Sequence, residues 1–345
     1  MKFFKEKWPT TLRRAGLSPL GILILAAVAI LPAFTESPAV LRLFITAFMT
    51  ATLAMGFDFT NGYIGICNFG YAAFWGVGAY TSAILVKDCG FPIVLGLLCA
   101  FLLVGLLGLA IGALTIRLGG IFASCMCWFV SLALLALARN LVDLTGGASG
   151  YSATFMFRPK LGYVPYYYVI FGVMAVVYIV LSWITHSNMG LAFRSIALDN
   201  TAAGTCGINH VKYKLINFAL SCAIAGLVGA LYIHFIGIMT PKSMSNDKTT
   251  EIMAICFIGG RGTIWGSLLS ALVLTPILER AKDLLEWRQV LYGLLMILIM
   301  IFYPRGVAGI LENLRDKLEV RFSGKKAAEV AAPEQEANTP NIENQ

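Results

Sequence analysis

The sequence predicts an all-α polytopic membrane protein with about ten transmembrane segments (8–10), a helix in a cytoplasmic loop, and both termini cytoplasmic. Three observations predict it. The 345 residues are 58% hydrophobic and only 13% charged, where a soluble domain carries about 25% charged residues. Apolar runs long enough to cross a bilayer as helix, about 17–25 residues, recur along nearly the whole chain. The basic residues flank those runs: Lys2, Lys5, Lys7, Arg13 and Arg14 come before the first, and Arg305, Arg315, Lys317, Arg321, Lys325 and Lys326 after the last. The positive-inside rule then puts both ends in the cytoplasm.

The spans are helices because each backbone polar group must find its partner within the segment. The short alternating strands of an outer-membrane barrel are absent. Apolar runs place spans near 19–35, 39–57, 63–86, 91–115, 119–142, 163–184 and 212–237, then a divided region at 249–260 and 263–279, and a last span near 288–303. The first run has no small-residue cleavage site after it and reads as a retained span. Residues 1–18 form a cytoplasmic segment, 19–312 the membrane domain, and 313–345 a cytoplasmic, largely disordered tail.

Parity tests this count. Six spans before residue 185 put the 185–211 loop, with Arg194, in the cytoplasm, together with the turn at Arg117. Residues 249–279 decide the rest. As one span they would leave the basic carboxyl end outside; as two short helices broken at Gly259-Gly260-Arg261-Gly262 they return it to the cytoplasm. A re-entrant pair is the competing reading.

Several function classes fall away. Basic residues confined to span ends are explained by topology, without nucleic acid. Most of the eight cysteines, including Cys67, Cys99, Cys125, Cys127, Cys222 and Cys256, lie in apolar runs, where cysteine behaves as a small hydrophobe. There is no Cys-x-x-Cys pair and the three histidines are dispersed, so neither a metal site nor a cofactor is expected. A phosphate-binding Gly-x-x-x-x-Gly-Lys-Ser/Thr loop is absent, and so is any Ser/His/Asp set, so the chain is not expected to be an enzyme or to hydrolyse ATP itself.

Among the acids, Asp58, near the end of the second span, is the one an ion-coupled carrier would use; a charge so placed reads first as an interface anchor. Segment 61–80, NGYIGICNFGYAAFWGVGAY, carries glycines 62, 65, 70, 76 and 78. They serve close helix packing, or an interrupted backbone that lines a translocation path. The outer loop TGGASGYSATF (145–155) is either a plain connector or a surface for an external partner.

The most informative stretch is polar. Residues 190–209, GLAFRSIALDNTAAGTCGIN, lie between two long apolar runs. Ser187 or Asn188 can cap a helix there, residues 191–206 hold few breakers, and Gly207 can supply a left-handed stop. Ala203 and Gly207, four apart, would share one helical face. A defined polar helix in so apolar a chain is a candidate docking surface for a cytoplasmic partner; packing on its own domain is the plainer reading.

That stretch resembles the coupling loop of ABC-transporter permeases, whose usual core is Glu-Ala-Ala, three residues, then Gly. Here Thr201-Ala202-Ala203 and Gly207 keep the spacing, while Thr201 replaces the glutamate. GYIGICNFGYAAFWGVGAYT (62–81), IRLGGIFA (116–123), TGGASGY (145–151), IGGRGTIWGSLLSA (258–271) and YGLLMILIMIFYPRGVAGIL (292–311) also agree, so the chain from about 40 to 312 resembles the branched-chain amino-acid (LivM-type) permease family. Asn68-Phe69-Gly70-Tyr71 departs from the family's frequent Ser-Leu-Gly-His. The resemblance implies an importer half in the bacterial inner membrane, in contact with membrane lipid. It would work with a second homologous permease, two cytoplasmic ATPase subunits and a periplasmic solute-binding protein. Branched-chain amino acids are the implied solutes, urea or short amides the alternative, and a self-sufficient ion-coupled carrier the alternative from another class. ATPase coupling would fall to Arg194, Asp199, Ala202, Ala203 and Gly207 of the coupling loop, about 187–209. Candidate path residues are Asn68, Gly70, Tyr71, Gly76, Gly259 and Gly260.

Overall fold

In the computed structural model the described residues are 37–116, 118, 120–157 and 162–280, with 293, 294, 296–298, 301 and 306–309. The amino-terminal segment 1–18, the span expected at 19–35, most of the span expected at 288–303 and the tail 313–345 lie outside them.

Long helices form where the apolar runs are. The described helices are α1 (Pro38–Asn61), α2 (Tyr71–Lys87), α3 (Ile93–Ile116), α4 (Ile121–Asn140), α5 (Val142–Thr145), α6 (Val164–Thr185), α7 (Asn188–Leu198), α8 (Asn200–Thr205), α9 (His210–Ile236), α10 (Asn246–Gly259) and α11 (Ile264–Arg280). Their ends follow local chemistry. Pro38 opens α1, where a missing N–H costs nothing. The Asn209 side chain accepts the Lys212 N–H at the start of α9, and Gly237, at φ 88°, closes it.

Five helices among the described residues, α1, α3, α4, α6 and α9, are long and apolar enough to cross a membrane. The pair α10 and α11 passes the same test jointly but bends by 116° at the break. The chain is therefore a multi-pass membrane protein, with five such spans among the described residues, or six counting the pair as one. The expected single run at 63–86 is corrected: residues 66–68 have no regular structure, and helix resumes only at Tyr71.

Helix α9 is the axis of the bundle, packed along α3 and α2; α1 lies between α9, α11 and α6. Lipid tails are as apolar as leucine, so close fit rather than water exclusion holds such helices together. Small residues supply that fit. A Cβ on Gly229 of α9 would strike the Trp75 carbonyl of α2, and one on Gly78 would strike the Gly226 backbone. Gly105 and Gly108 likewise bring α3 onto Ala223 and Cys222 of α9.

The all-α expectation needs one small amendment. Strands β1 (Tyr151–Ser152) and β2 (Ile238–Met239) pair antiparallel, with Tyr151 opposite Met239. This ribbon marks one end of the bundle and lies on the loop read as a plain connector or an outer surface. His234 bolts it down: Nδ1 lies 2.7 Å from the Thr154 carbonyl and Nε2 lies 2.9 Å from Ser82 Oγ of α2. At the same end, Lys87 Nζ donates to Ser152 Oγ at 3.0 Å. Helices α7 and α8 mark the opposite end.

Candidate functional site

The two stretches singled out by sequence meet near the α7–α8 end. Residues 62–70 break the backbone between α1 and α2; residues 260–263 break it between α10 and α11. A Cβ on Gly62 would collide with the backbone of Gly262, so the two breaks touch. Asp58 holds them in register. Its Oδ1 accepts the Gly262 N–H at 2.8 Å, and the Cys256 thiol donates to the same oxygen at 3.4 Å. Beside it, Arg261 Nε donates to the Asn61 carbonyl at 3.0 Å. Asp58 is fully buried, which corrects its reading as an interface anchor. Position in the run placed it near a span end; only the fold shows that end covered by α10 and α11.

The candidate path residues fall around these breaks. Asn68 shapes the turn before α2, its Oδ1 accepting the Gly70 N–H at 3.0 Å, while its Nδ2 faces Cys222 Sγ at 3.7 Å. Tyr71 is fully buried and donates its hydroxyl to the Ser221 carbonyl at 3.2 Å. Gly70 is pressed against the Cys127 carbonyl of α4, and Gly76 against the Met244 side chain. Gly259 meets Gly266 backbone to backbone, which lets α10 and α11 fold against each other. Gly260, at φ 111°, takes a turn that other residues rarely adopt. Within this single chain all six residues are buried. Thr249, which sequence reasoning passed over, accepts the Ala72 N–H at 3.1 Å and fixes α10 to the first turn of α2.

The polar loop folds as two helices rather than one. Ser187 caps α7, accepting the Met189 N–H at 3.2 Å. Asp199 then turns extended (φ −155°, ψ 117°) and caps α8, its Oδ1 accepting from Thr201 N at 2.7 Å and Ala202 N at 3.2 Å. Those two hydrogen bonds hold its carboxyl below the usual carboxylate range. The expected continuous helix over 191–206 is thus corrected: Asp199 ends one helix and starts a second. Gly207 does take the left-handed conformation, φ 79°. It lies beyond α8, so it shares no helical face with Ala203, whose side chain is buried on its own domain. Arg194, Asp199, Ala202 and Gly207 are exposed.

Helix α7 is seated firmly. Phe193 stands edge-on to Phe59 of α1 at 5.6 Å and to Tyr213 of α9 at 6.0 Å. The Arg194 guanidinium lies over the Tyr63 ring, 5.3 Å from its centre. Tyr63, also passed over in the sequence, belongs to the broken segment 62–70, so α7 touches that segment directly. An aromatic next to a glycine-rich break was the available signal. A cavity of about 140 Å³ opens at this end, lined by Ile66, Leu118, Gly120, Ala123, Asn200, His210 and Lys214. It joins Leu118, Gly120 and the start of α4 to the α8 region, the two stretches that charge counting places on one side.

Residues 39–302 match the family described as "Branched-chain amino acid transport system / permease component". The chain belongs to that family of ABC permeases. It is 27% identical over 301 residues to the high-affinity branched-chain amino acid transport system permease protein LivM of Escherichia coli (strain K12), covering 79% of this chain and 70% of that protein. LivM of Salmonella typhimurium is 28% identical over 310 residues, covering 81% of this chain and 71% of that protein. LivH of Escherichia coli (strain K12) is 25% identical over 280 residues, 75% of this chain and 91% of that protein. No solved structure matches the chain significantly. The family is one of membrane permease components. Among the described residues no group of three or more His, Cys, Asp or Glu could hold a metal ion.

Proposed function

We propose that this chain is the membrane-spanning permease subunit of an ATP-binding-cassette importer, moving branched-chain amino acids or a similar small polar solute across the bacterial inner membrane. The observation that carries it is the family match running from residue 39 to 302, over nearly the whole membrane domain. A second, similar permease completes the path, a periplasmic binding protein delivers solute, and two cytoplasmic ATPases supply the energy. About ten spans, with both termini in the cytoplasm, place α7 and α8 on the ATPase side.

Force from the ATPases enters through the exposed residues Arg194, Asp199, Ala202 and Gly207. It passes along α7 to Tyr63 and the break at 62–70, which Asp58 links to the break at 260–263. Asn68, Gly70, Tyr71, Gly76, Gly259 and Gly260 surround these joints, where a small change in backbone angle opens or closes the path. The ion-coupled alternative is not favoured: Asp58, the acid that motivated it, accepts a backbone N–H and a thiol in the core.

The test is uptake by cells carrying the chain with its neighbouring subunits. Radiolabelled leucine uptake should stop on ATP depletion and survive a protonophore at constant ATP. Uptake that survives ATP depletion but collapses with the proton gradient would overturn the reading.

A further inference from the structure

The chain between α9 and α10 places charges where lipid would not accept them. From Met239 at the ribbon it descends along α2: Tyr80 donates its hydroxyl to the Met239 carbonyl at 3.4 Å, Met244 packs on Gly76, and Thr249 takes the Ala72 N–H. Lys87, at the ribbon end of α2, gives the scale. At about 1.5 Å per residue, Gly76 lies about 17 Å and Ala72 about 22 Å further in. A bilayer core is about 30 Å thick. Residues 244–249 are therefore near the middle of the membrane. Ser131 of α4, which donates to Asn246 Oδ1 at 3.4 Å, agrees: it lies nine residues, about 13 Å, inward of Asn140.

Asp247 is exposed at that depth, Lys242 and Thr250 are exposed on either side of it, and Lys248 pairs with Glu251 at 3.2 Å while still partly open. Ionisable side chains within a membrane face a water-filled cavity or a protein partner, because lipid penalises them heavily. The break from α-helix at 240–245, which holds a 3₁₀ turn at Pro241–Met244, obeys the same rule. Both signs of charge occur within ten residues. A free amino acid carries one of each, an ammonium and a carboxylate, on neighbouring atoms.

We propose that Lys242, Asp247 and Lys248 form a wall of the aqueous solute path and receive the zwitterionic head of an α-amino acid. This rests on the permease reading above and deepens it by naming the surface that meets the solute. The lysines face the carboxylate; Asp247 faces the ammonium, and Ser245 Oγ, donating to it at 3.1 Å, orients it. A wall open on one side, with Lys248 already paired to Glu251, holds solute loosely, as a conduit needs.

The test uses the full transporter in right-side-out vesicles, with ATP inside and binding protein and leucine outside. Wild-type vesicles that do not take up leucine with ATP would sink the permease reading itself. With wild-type uptake in place, Lys242→Gln and Asp247→Asn should each lower leucine uptake about tenfold or more, with the ATPase subunits still co-purifying. Lys242→Cys and Asp247→Cys, compared with the unaltered chain, should react with a charged, membrane-impermeant thiol reagent, and saturating leucine should slow that reaction. Uptake within about twofold of wild type in both charge-removing variants, or cysteines that no polar reagent reaches, would overturn the proposal. Loss of subunit assembly in those variants would overturn it too, since it would make this face a contact with the second permease.

Discussion

Asp58 Oδ1 accepts the backbone N–H of Gly262 at 2.8 Å, joining residues 204 positions apart and fastening the end of α1 to the break between α10 and α11. The carboxyl group sits in the core, where each hydrogen bond to it replaces water it has lost. Asp58→Ala removes the acceptor and strands the Gly262 N–H. Leaving a buried donor unsatisfied costs about 1–3 kcal/mol, and this half-buried one costs toward the low end, so the thermal unfolding midpoint of the detergent-purified protein should fall. Asp58→Asn keeps an acceptor oxygen and should fall less. Equal midpoints for the wild type and both variants would show that the bond does not hold the two breaks together.

A second prediction concerns the crossing of α2 and α9. Gly229→Ala places a methyl against the Trp75 carbonyl, main chain that has nowhere to move. Overpacking of this kind costs about 1–3 kcal/mol, and the fluorescence size-exclusion peak of the solubilised protein should shrink and broaden. Gly172→Ala in α6 is the control, because nothing lies within 4 Å of its Cβ position. If the two variants behave alike, the crossing is looser than its geometry.

Those two sites show what could be read from the chain alone. The long helices were legible because hydropathy and length suffice in a membrane: the run read as 91–115 is the helix Ile93–Ile116. Gly78 was legible as a small residue, but its partner Gly226, far along the chain, was not, because sequence order carries no information about which faces meet. Asp58 failed for the same reason, since burial depends on what packs over it. Residues 238–248 fell between the runs read as 212–237 and 249–260, and only the fold shows their course beside α2. The break at Asp199 was available in principle, because aspartate favours helix starts over helix interiors.

Asp199 yields a pH dependence. Its carboxyl is held below its usual value by the Thr201 and Ala202 N–H groups. A group depressed on folding contributes stability above its unfolded pKa, about 3.9, and loses it as the pH falls through the lower folded value. Amide exchange at residues 201 and 202 should therefore stay slow at neutral pH and speed up, beyond its intrinsic pH trend, only under strong acid. In Asp199→Ala it should be fast throughout, with no acid transition. An acid transition that persists in Asp199→Ala would assign the effect to another group.

Gly207 separates docking from folding. Its φ of 79° disfavours any side chain, yet no atom lies within 4 Å of the Cβ position and the residue is exposed. The left-handed conformation costs an ordinary residue about 1–2 kcal/mol, a strain that asparagine tolerates better than most. Gly207→Asn should keep both the turn and ATP-dependent uptake. Gly207→Trp should insert into the membrane and purify as a folded protein, with leucine uptake reduced about tenfold or more while ATP hydrolysis continues. With Gly207→Asn active, the turn is shown to accept a side chain, and the loss in Gly207→Trp follows from the indole's bulk at the docking face. Full uptake in Gly207→Trp would remove residue 207 from the docking surface. Equal losses in both variants would move the effect from the partner to the turn itself.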